Sequence, residues 1–303
     1  MADLRGGVLV IDKPAGPTSH DVVAVARRAS RGLKVGHVGT LDPLATGVLP
    51  LVVGRATRLA RLLSDEDKVY EAAIRLGVET DTYDATGAVL GDRRDLVAAL
   101  TQARVAAGIE RFVGAHLQRP PPFSAKKLGG VPAYDRARRG EFVDLDPVPV
   151  VLHEAEILEQ SGGLVRVRLR CSPGYYVRAL AHDLGAELGT GGCLESLRRV
   201  RSGRFDVATA ITLDVLAADP ARALDAIVPL ESLLPEIPAV RLTGEGARRV
   251  AHGLSVGPAH ISGGLPGGSA REARFLSPDG LLLGLGRVQA GGTLRPSVFL
   301  GWP

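Results

Sequence analysis

Val8 to Ile11 is a continuous, mostly β-branched apolar run closed by Pro14, Gly16 and Pro17, which predicts a buried strand running into a loop. A helix follows: Thr18 is placed to cap it with Asp21 three residues on, and Val22, Val25, Ala26 and Ala29 recur at helical spacing while Arg27 and Arg28 take the other side. Gly54 to Leu63 reads as helical with Leu59, Leu62 and Leu63 inward, and Tyr70 to Leu76 as a strand. Residues 95–112 suggest another helix, Gln118 to Gly130 a loop, and Tyr134 to Arg139 a short helix. Leu164 to Cys171 alternates cleanly, with Val165, Val167, Leu169 and Cys171 on one face and Arg166, Arg168 and Arg170 on the other. A solvated antiparallel face accounts for these arginines without a ligand. After the Ser172-Pro173-Gly174 turn, Val177, Leu180, Ala181, Leu184 and Leu188 mark a helix whose apolar stripe excludes Arg178, leaving that side chain available to a site.

Near Leu233 to Pro238 the composition shifts to Gly-rich sequence with short apolar runs, which places a boundary close to residue 237. At 303 residues the chain is long enough for a large core with an appendage. The net charge is only +4, but residues 237–303 carry seven Arg against Glu245, Glu272 and Asp279, so this segment holds the whole surplus. Such a surplus suits an acidic partner such as RNA, and equally an Arg-rich solvated surface. Two distant cysteines, Cys171 and Cys193, form neither a metal motif nor a disulfide framework and fit a reducing cytoplasm. With no signal-like start and no run long enough to span a bilayer, a soluble, cytoplasmic protein with no membrane association is expected.

One carboxylate stands out. Asp42 lies in Gly36-His37-Val38-Gly39-Thr40-Leu41-Asp42-Pro43-Leu44-Ala45-Thr46-Gly47, where Pro43 disfavours helix at Asp42 and the glycines permit tight turns. Taken alone, this is an Asx-type turn. Other signals lack their context: Gly253 to Gly257 matches a serine-hydrolase elbow around Ser255, but Pro258 replaces the start of the helix that motif needs. His20-Asp21 and His182-Asp183 have no second ligand pair at helical spacing, so no metal is expected, and no nucleotide-cofactor motif is complete.

With Asp12-Lys13-Pro14 before the Asp42 loop, then Asp67 to Tyr70, Thr80 to Gly87, Pro120 to Lys127 with Tyr134 and Arg138, Gly174 to Arg178 and Leu197-Arg198-Arg199, the chain resembles the TruB-type family of tRNA pseudouridine-55 synthases over nearly all of its first 205 residues. The resemblance implies an α/β (α+β) fold, a mixed, largely antiparallel twisted sheet flanked by helices over residues 1–236, and a small PUA-like RNA-binding β-barrel over 237–303. It implies an isomerase that converts uridine 55 in the T arm of tRNA to pseudouridine, needing no cofactor and no guide RNA, and acting as a monomer.

By the same resemblance Asp42 is the nucleophile, Arg178 its cationic partner and Tyr70 the aromatic that stacks on the base and takes a ribose proton. His37 would help hold the flipped loop conformation, Tyr176 and Leu197 would line the uridine pocket, and Lys13 and Pro14 would support the catalytic loop beside the substrate. Lys127, with Ser124 and Lys126, would meet phosphates. Plain packing or turn roles exist for each of these residues. Phe123 stands where the family commonly has Tyr, which puts any hydrogen bond from that ring in doubt. Guide-dependent synthases share the motifs, and a tRNA-folding chaperone role is compatible with them.

Overall fold

The protein is described by a computed structural model that covers residues 6–30, 32–124, 126–141, 143–265 and 270–302, with the side chains of 127, 128 and 132 also outside the description. Its main sheet runs, in spatial order, through Ile211–Thr212, Gly6–Lys13, Thr46–Gly54, Gly192–Ser202, Lys68–Leu76, Leu164–Cys171, Val148–Ser161 and Gly114–Gln118. All neighbours on this path are antiparallel except the first pair and the pair Thr46–Gly54 with Gly192–Ser202, which meets in parallel over only Arg198 opposite Thr46 and Arg199 opposite Gly47. The mixed, mainly antiparallel α+β architecture is therefore as the sequence predicts.

The strand Gly6–Lys13 is apolar from Val8 to Ile11 because both of its faces are covered there. Leu9 and Ile11 join the core formed with the helices Ser19–Ala29, Gln102–Glu110 and Val177–Leu188, while Val8 and Val10 join a second core on the opposite face. That second core takes Leu282, Leu285 and Leu300 from the C-terminal part of the chain. Farther along the sheet, Leu164–Cys171 is covered on one face only. Its arginines are matched by acids across the ladder: Arg166 with Glu159, Arg168 with Glu71, and Arg170 with both Asp67 and Glu154. These are cross-strand pairs on a solvated face.

Thr18 caps the helix Ser19–Ala29 in a reciprocal box with Asp21, as its spacing predicts. The expected helix over 95–112 is two pieces, Arg94–Val97 and Gln102–Glu110, because Thr101 adopts an extended backbone and caps the second. Tyr70 is the third residue of its strand rather than the first. The long strands Thr46–Gly54, Val148–Ser161 and Gly192–Ser202 escape local pattern reading, since they are buried on both faces, exposed, or interrupted by bulges. Among the described residues no helix is long and apolar enough to cross a membrane.

From Ala239 onward the chain forms a separate five-stranded sheet, with the helix Gly244–Ala251 packed through Ala247 and Val250 onto Val240, Phe275 and Leu294. Leu283 faces this inner core, whereas Leu282 and Leu285 face the main sheet. Arg55 and Arg58 of the main unit also donate to the carbonyls of Gly301 and Phe299. The two sheets thus share apolar surface. Leu285→Ala in the whole chain is expected to cost about 2–5 kcal/mol in a denaturant titration, the range for a buried Leu truncation. A loss below about 0.5 kcal/mol, typical of surface substitutions, would show that the shared core contributes nothing.

Candidate active site

The Asp42 loop connects the edge segment Val35–His37 to the strand Thr46–Gly54. Its end is sterically fixed: Gly47 has φ +97°, and a Cβ there would lie 2.1 Å from the carbonyl oxygen of Arg199. Lys13, fully buried, donates from Nζ to the carbonyls of Pro14 (2.8 Å), Pro43 (3.3 Å) and Ala45 (2.8 Å), and Ser19 bonds Leu41 in both directions. The loop is anchored on either side of Asp42, while the Asp42 side chain itself stays 38% exposed.

Arg178, in the first turn of Val177–Leu188, reaches this carboxylate. Its Nε lies 2.8 Å from Asp42 Oδ2. Its other nitrogens donate to the carbonyl oxygens of Thr82 and Phe123, each at 2.9 Å, and Nη1 lies 3.6 Å from Asp84 Oδ2. The contact from residue 123 is to its backbone and does not involve its ring. Asp84 is buried and accepts through Oδ1 from the Thr82 hydroxyl and from the Thr86 amide and hydroxyl. The guanidinium is oriented from three directions before any ligand arrives, a geometry that suits its planar fork.

Two cavities meet at this pair, sharing Thr40, Leu41, Asp42, Ser124 and Arg178 as a common wall. One, of about 350 Å³, is walled further by Tyr70, Tyr176, Leu197, Lys68 and Arg199. The other, of about 630 Å³, has His20, Leu44, Phe123, Tyr134 and Arg138 in its lining. Tyr70 and Leu197 come from adjacent strands, Leu197 pairing with Ala72 and Tyr70 with Arg199. Tyr176 is fixed by its backbone, which donates to and accepts from the side chain of Gln118. Burial pushes the hydroxyls of Tyr70 and Tyr176 up from their ordinary range.

The structure therefore brings Asp42, Arg178, Tyr70, Tyr176 and Leu197 together. Lys13 and Pro14 line neither cavity; Lys13 lies beneath the loop, and Pro14 is exposed beside it. His37 is also outside both linings, edge-on to His20 with ring centroids 5.4 Å apart, and burial lowers its affinity for a proton. The side chain of Lys127 lies outside the described residues. The paired signals dissolve: Asp21 caps a helix, His182 stacks on Tyr83 at 3.8 Å, and the Ser255 hydroxyl meets Gln289.

Three residues without an assigned role in the sequence reading prove to belong to the site: Asp84, Lys68 and Arg199. A signal for Asp84 exists in the alternation of Thr and Asp over residues 80–86, side chains that bond back to nearby backbone. Arg199 stands two residues from Leu197 in a strand, where alternation puts it on the same inward face.

Burial lowers the Lys13 ammonium to about 8, with the charges of Asp42 opposing and Arg199 assisting. The unfolded chain then holds this proton up to the ordinary lysine range while the native state has lost it. Stability attributable to Lys13 therefore rises with pH between about 8 and 10.5. The melting temperature of the natural protein minus that of Lys13→Met is expected to increase across this window; a flat or falling difference contradicts the assignment.

The family model described as TruB family pseudouridylate synthase (N terminal domain) matches residues 27–177, and the tRNA pseudouridylate synthase B C-terminal domain matches 178–235. The chain is 42% identical over 296 residues to the tRNA pseudouridine synthase B of Solibacter usitatus, covering 97% of this chain and 99% of the relative. It is 45% identical over 310 residues to that of Thermobifida fusca, covering 99% and 100%. Among solved structures it resembles a chain of an H/ACA RNP bound to a substrate RNA containing 2'-deoxyuridine, with TM-score 0.71 and 25% identity over 99% of this chain and 86% of that one. A loop carboxylate locked to a helix-borne arginine beside a tyrosine-walled cavity, in a chain matched end to end by such relatives, belongs to the TruB family of pseudouridylate synthases.

Proposed function

We propose that this chain isomerises uridine 55 in the T loop of tRNA to pseudouridine, acting alone, without guide RNA, as a cytoplasmic monomer. The observation that carries this reading is the Asp42 carboxylate, half-open to solvent, held 2.8 Å from Arg178 on the wall of a cavity that Tyr70, Tyr176 and Leu197 complete. A base can be modified here only after leaving its stack, and the flat rings at the cavity suit a flipped pyrimidine. Identity of 42% and 45% to relatives named tRNA pseudouridine synthase B, against 25% to the H/ACA chain, supports tRNA without a guide as the substrate arrangement.

In the reaction the bond from ribose to N1 breaks, the base turns, and ribose is joined to C5. The hydrogen leaving C5 is balanced by one gained at N1, so the formula is unchanged. Asp42, held 2.8 Å from Arg178, attacks the ribose as N1 leaves with the bonding pair, and its carboxylate is released again when C5 takes its place, which divides one hard step into easier ones. Tyr70 stacks on the base and, once ionised, accepts a ribose proton that it returns to the ribose before the product leaves. His37 holds the flipped loop, Lys13 and Pro14 hold Asp42 in place, and Lys127 meets phosphate.

The test uses purified protein at stoichiometric amount with unmodified tRNA tritiated at uridine C5, free of guide RNA. Release of label is expected. No release would end the stand-alone reading, whereas tRNA refolding without release would leave a chaperone.

In the same proposal residues 1–236 form the synthase and 237–303 a PUA-like RNA-binding unit. Arg287 and Arg295 lie directly opposite on neighbouring strands, with Glu272 across from Arg287. Arg287 is ion-paired with Glu272 at 3.5 Å, and the remaining like charge at Arg295 suits a further anion. Replacing both by Ala in the whole chain is expected to flatten the slope of log affinity for tRNA against log salt by roughly 0.7–0.9 for each phosphate no longer held. An unchanged slope removes this pair from RNA binding.

A further inference from the structure

Arg199 is among the most completely buried large side chains of the protein, 1% exposed, on the strand Gly192–Ser202. Its strand register puts it opposite Tyr70 on one side and Gly47 on the other. Nε donates to the carbonyl of Val48 at 2.7 Å and Nη2 to that of Gly39 at 2.8 Å, so one guanidinium ties together the chain on both sides of the segment carrying Asp42. Gly39, at φ +70°, makes room for it: a Cβ there would lie 3.1 Å from Nη1.

Arg178 and Arg198 each have a carboxylate partner, Asp42 with Asp84 and Asp12 respectively. Among the described residues Arg199 has no ion pair. Two cations lie near it, Lys13 from the first strand and Lys68 from the strand of Tyr70, both weakened as bases by burial first and by Arg199 as well, while Asp42, on the same cavity wall, is paired with Arg178. The groups whose charges bear on Tyr70 are Arg199, Cys171 from the neighbouring strand and Asp42 from the loop; burial is the largest effect and pushes its hydroxyl up, and Arg199, paired with it across the ladder, opposes that. Backbone carbonyls accept from its Nε and Nη2 but do not neutralise its charge, and a buried charge without a counter-ion is costly. Negative charge formed at Tyr70, inside the cavity both residues line, relieves that cost.

We propose that Arg199 is a positioning residue, which fixes the Asp42 loop against Tyr70 and favours the phenolate of Tyr70 as acceptor of the ribose proton. The proposal rests on the uridine-isomerising reading for its catalytic part. Its electrostatic part is independent of turnover.

The experiment follows the Tyr70 ring by NMR in protein labelled with 13C at the tyrosine ring, assigning it among five tyrosines by its loss in Tyr70→Phe. In Arg199→Met the Tyr70 titration is expected about one pH unit or more above that of the natural protein, and in Arg199→Lys by less. In single turnover Arg199→Met should slow isomerisation by about 100-fold with half-saturation by tRNA changed less than about threefold, and Arg199→Lys should recover about tenfold of that loss. If Arg199→Met does not fold, Arg199→Lys carries both measurements, with a smaller upward shift expected. An unchanged Tyr70 titration in the folded variant overturns the proposal. A shifted titration in a protein that releases no tritium from tRNA overturns the uridine reading instead, and leaves the control of Tyr70 by Arg199 standing.

Discussion

Asp42→Asn is expected to lower the single-turnover rate of isomerisation by at least about 10⁴-fold, the scale on which loss of a covalent nucleophile acts. The substitution keeps the size of the side chain and an oxygen that can accept from Arg178, but removes the negative charge. Arg178 retains Asp84 and the carbonyls of Thr82 and Phe123, so its orientation should persist. The loop is anchored through Lys13 and Ser19, and not through the Asp42 side chain. Affinity for tRNA should therefore change by less than about 1 kcal/mol, an ordinary hydrogen bond. Rate and affinity separate because the charge acts on the reacting nucleotide, whereas binding is spread over the RNA. Turnover within about tenfold of the natural protein would remove Asp42 as the nucleophile, and a large loss of affinity would make it a binding residue.

Arg178 carries the second large effect. Its side chain is 6% exposed and joins two carboxylates with two carbonyls. Arg178→Ala leaves the buried Asp84 carboxylate without its cation, a loss expected to cost about 3–5 kcal/mol of stability, as for other broken buried pairs. Arg178→Lys keeps the charge and should cost less, but one ammonium lacks the planar fork that reaches Asp42, Thr82 and Phe123 together. Its rate is expected to fall by about 10²–10³-fold in a protein that still unfolds cooperatively, the loss typical of one electrostatic donor misplaced at a reacting centre. Denaturant titration and single-turnover assay on the same two variants read the two effects. A fully active Arg178→Ala would show that Asp42 depends on another cation, and a fully active Arg178→Lys that the fork is unnecessary.

The clean alternation of residues 164–171 predicted a strand with one solvated face, and the stripe through residues 177–188 predicted a helix that leaves Arg178 off its apolar side. Both are found because an alternation or a helical stripe is a local record of which face meets the core. The Asp42 loop was legible for a related reason: proline and glycine restrict or free the backbone whatever the rest of the chain does. The unbroken apolar run Val8–Ile11 likewise showed that its strand is covered on both faces. It carried no information on what covers the second face, which is contributed by Leu282, Leu285 and Leu300 from the other end of the chain.

Sequence by itself determined the first strand and the helix after it, the strand and helix of residues 164–188, the rigid loop that presents Asp42, and an arginine available to meet it, since each follows from periodicity or backbone restriction within a few residues. Only the tertiary structure decided which cation takes which partner. Arg178, Arg198 and Arg199 are alike as residues, yet one holds Asp42, one pairs with Asp12, and one is buried against carbonyls beside Tyr70. For Arg198 and Arg199 that division is set by strand register and bulges between segments more than a hundred residues apart, where a shift of one residue would turn each side chain to the opposite face.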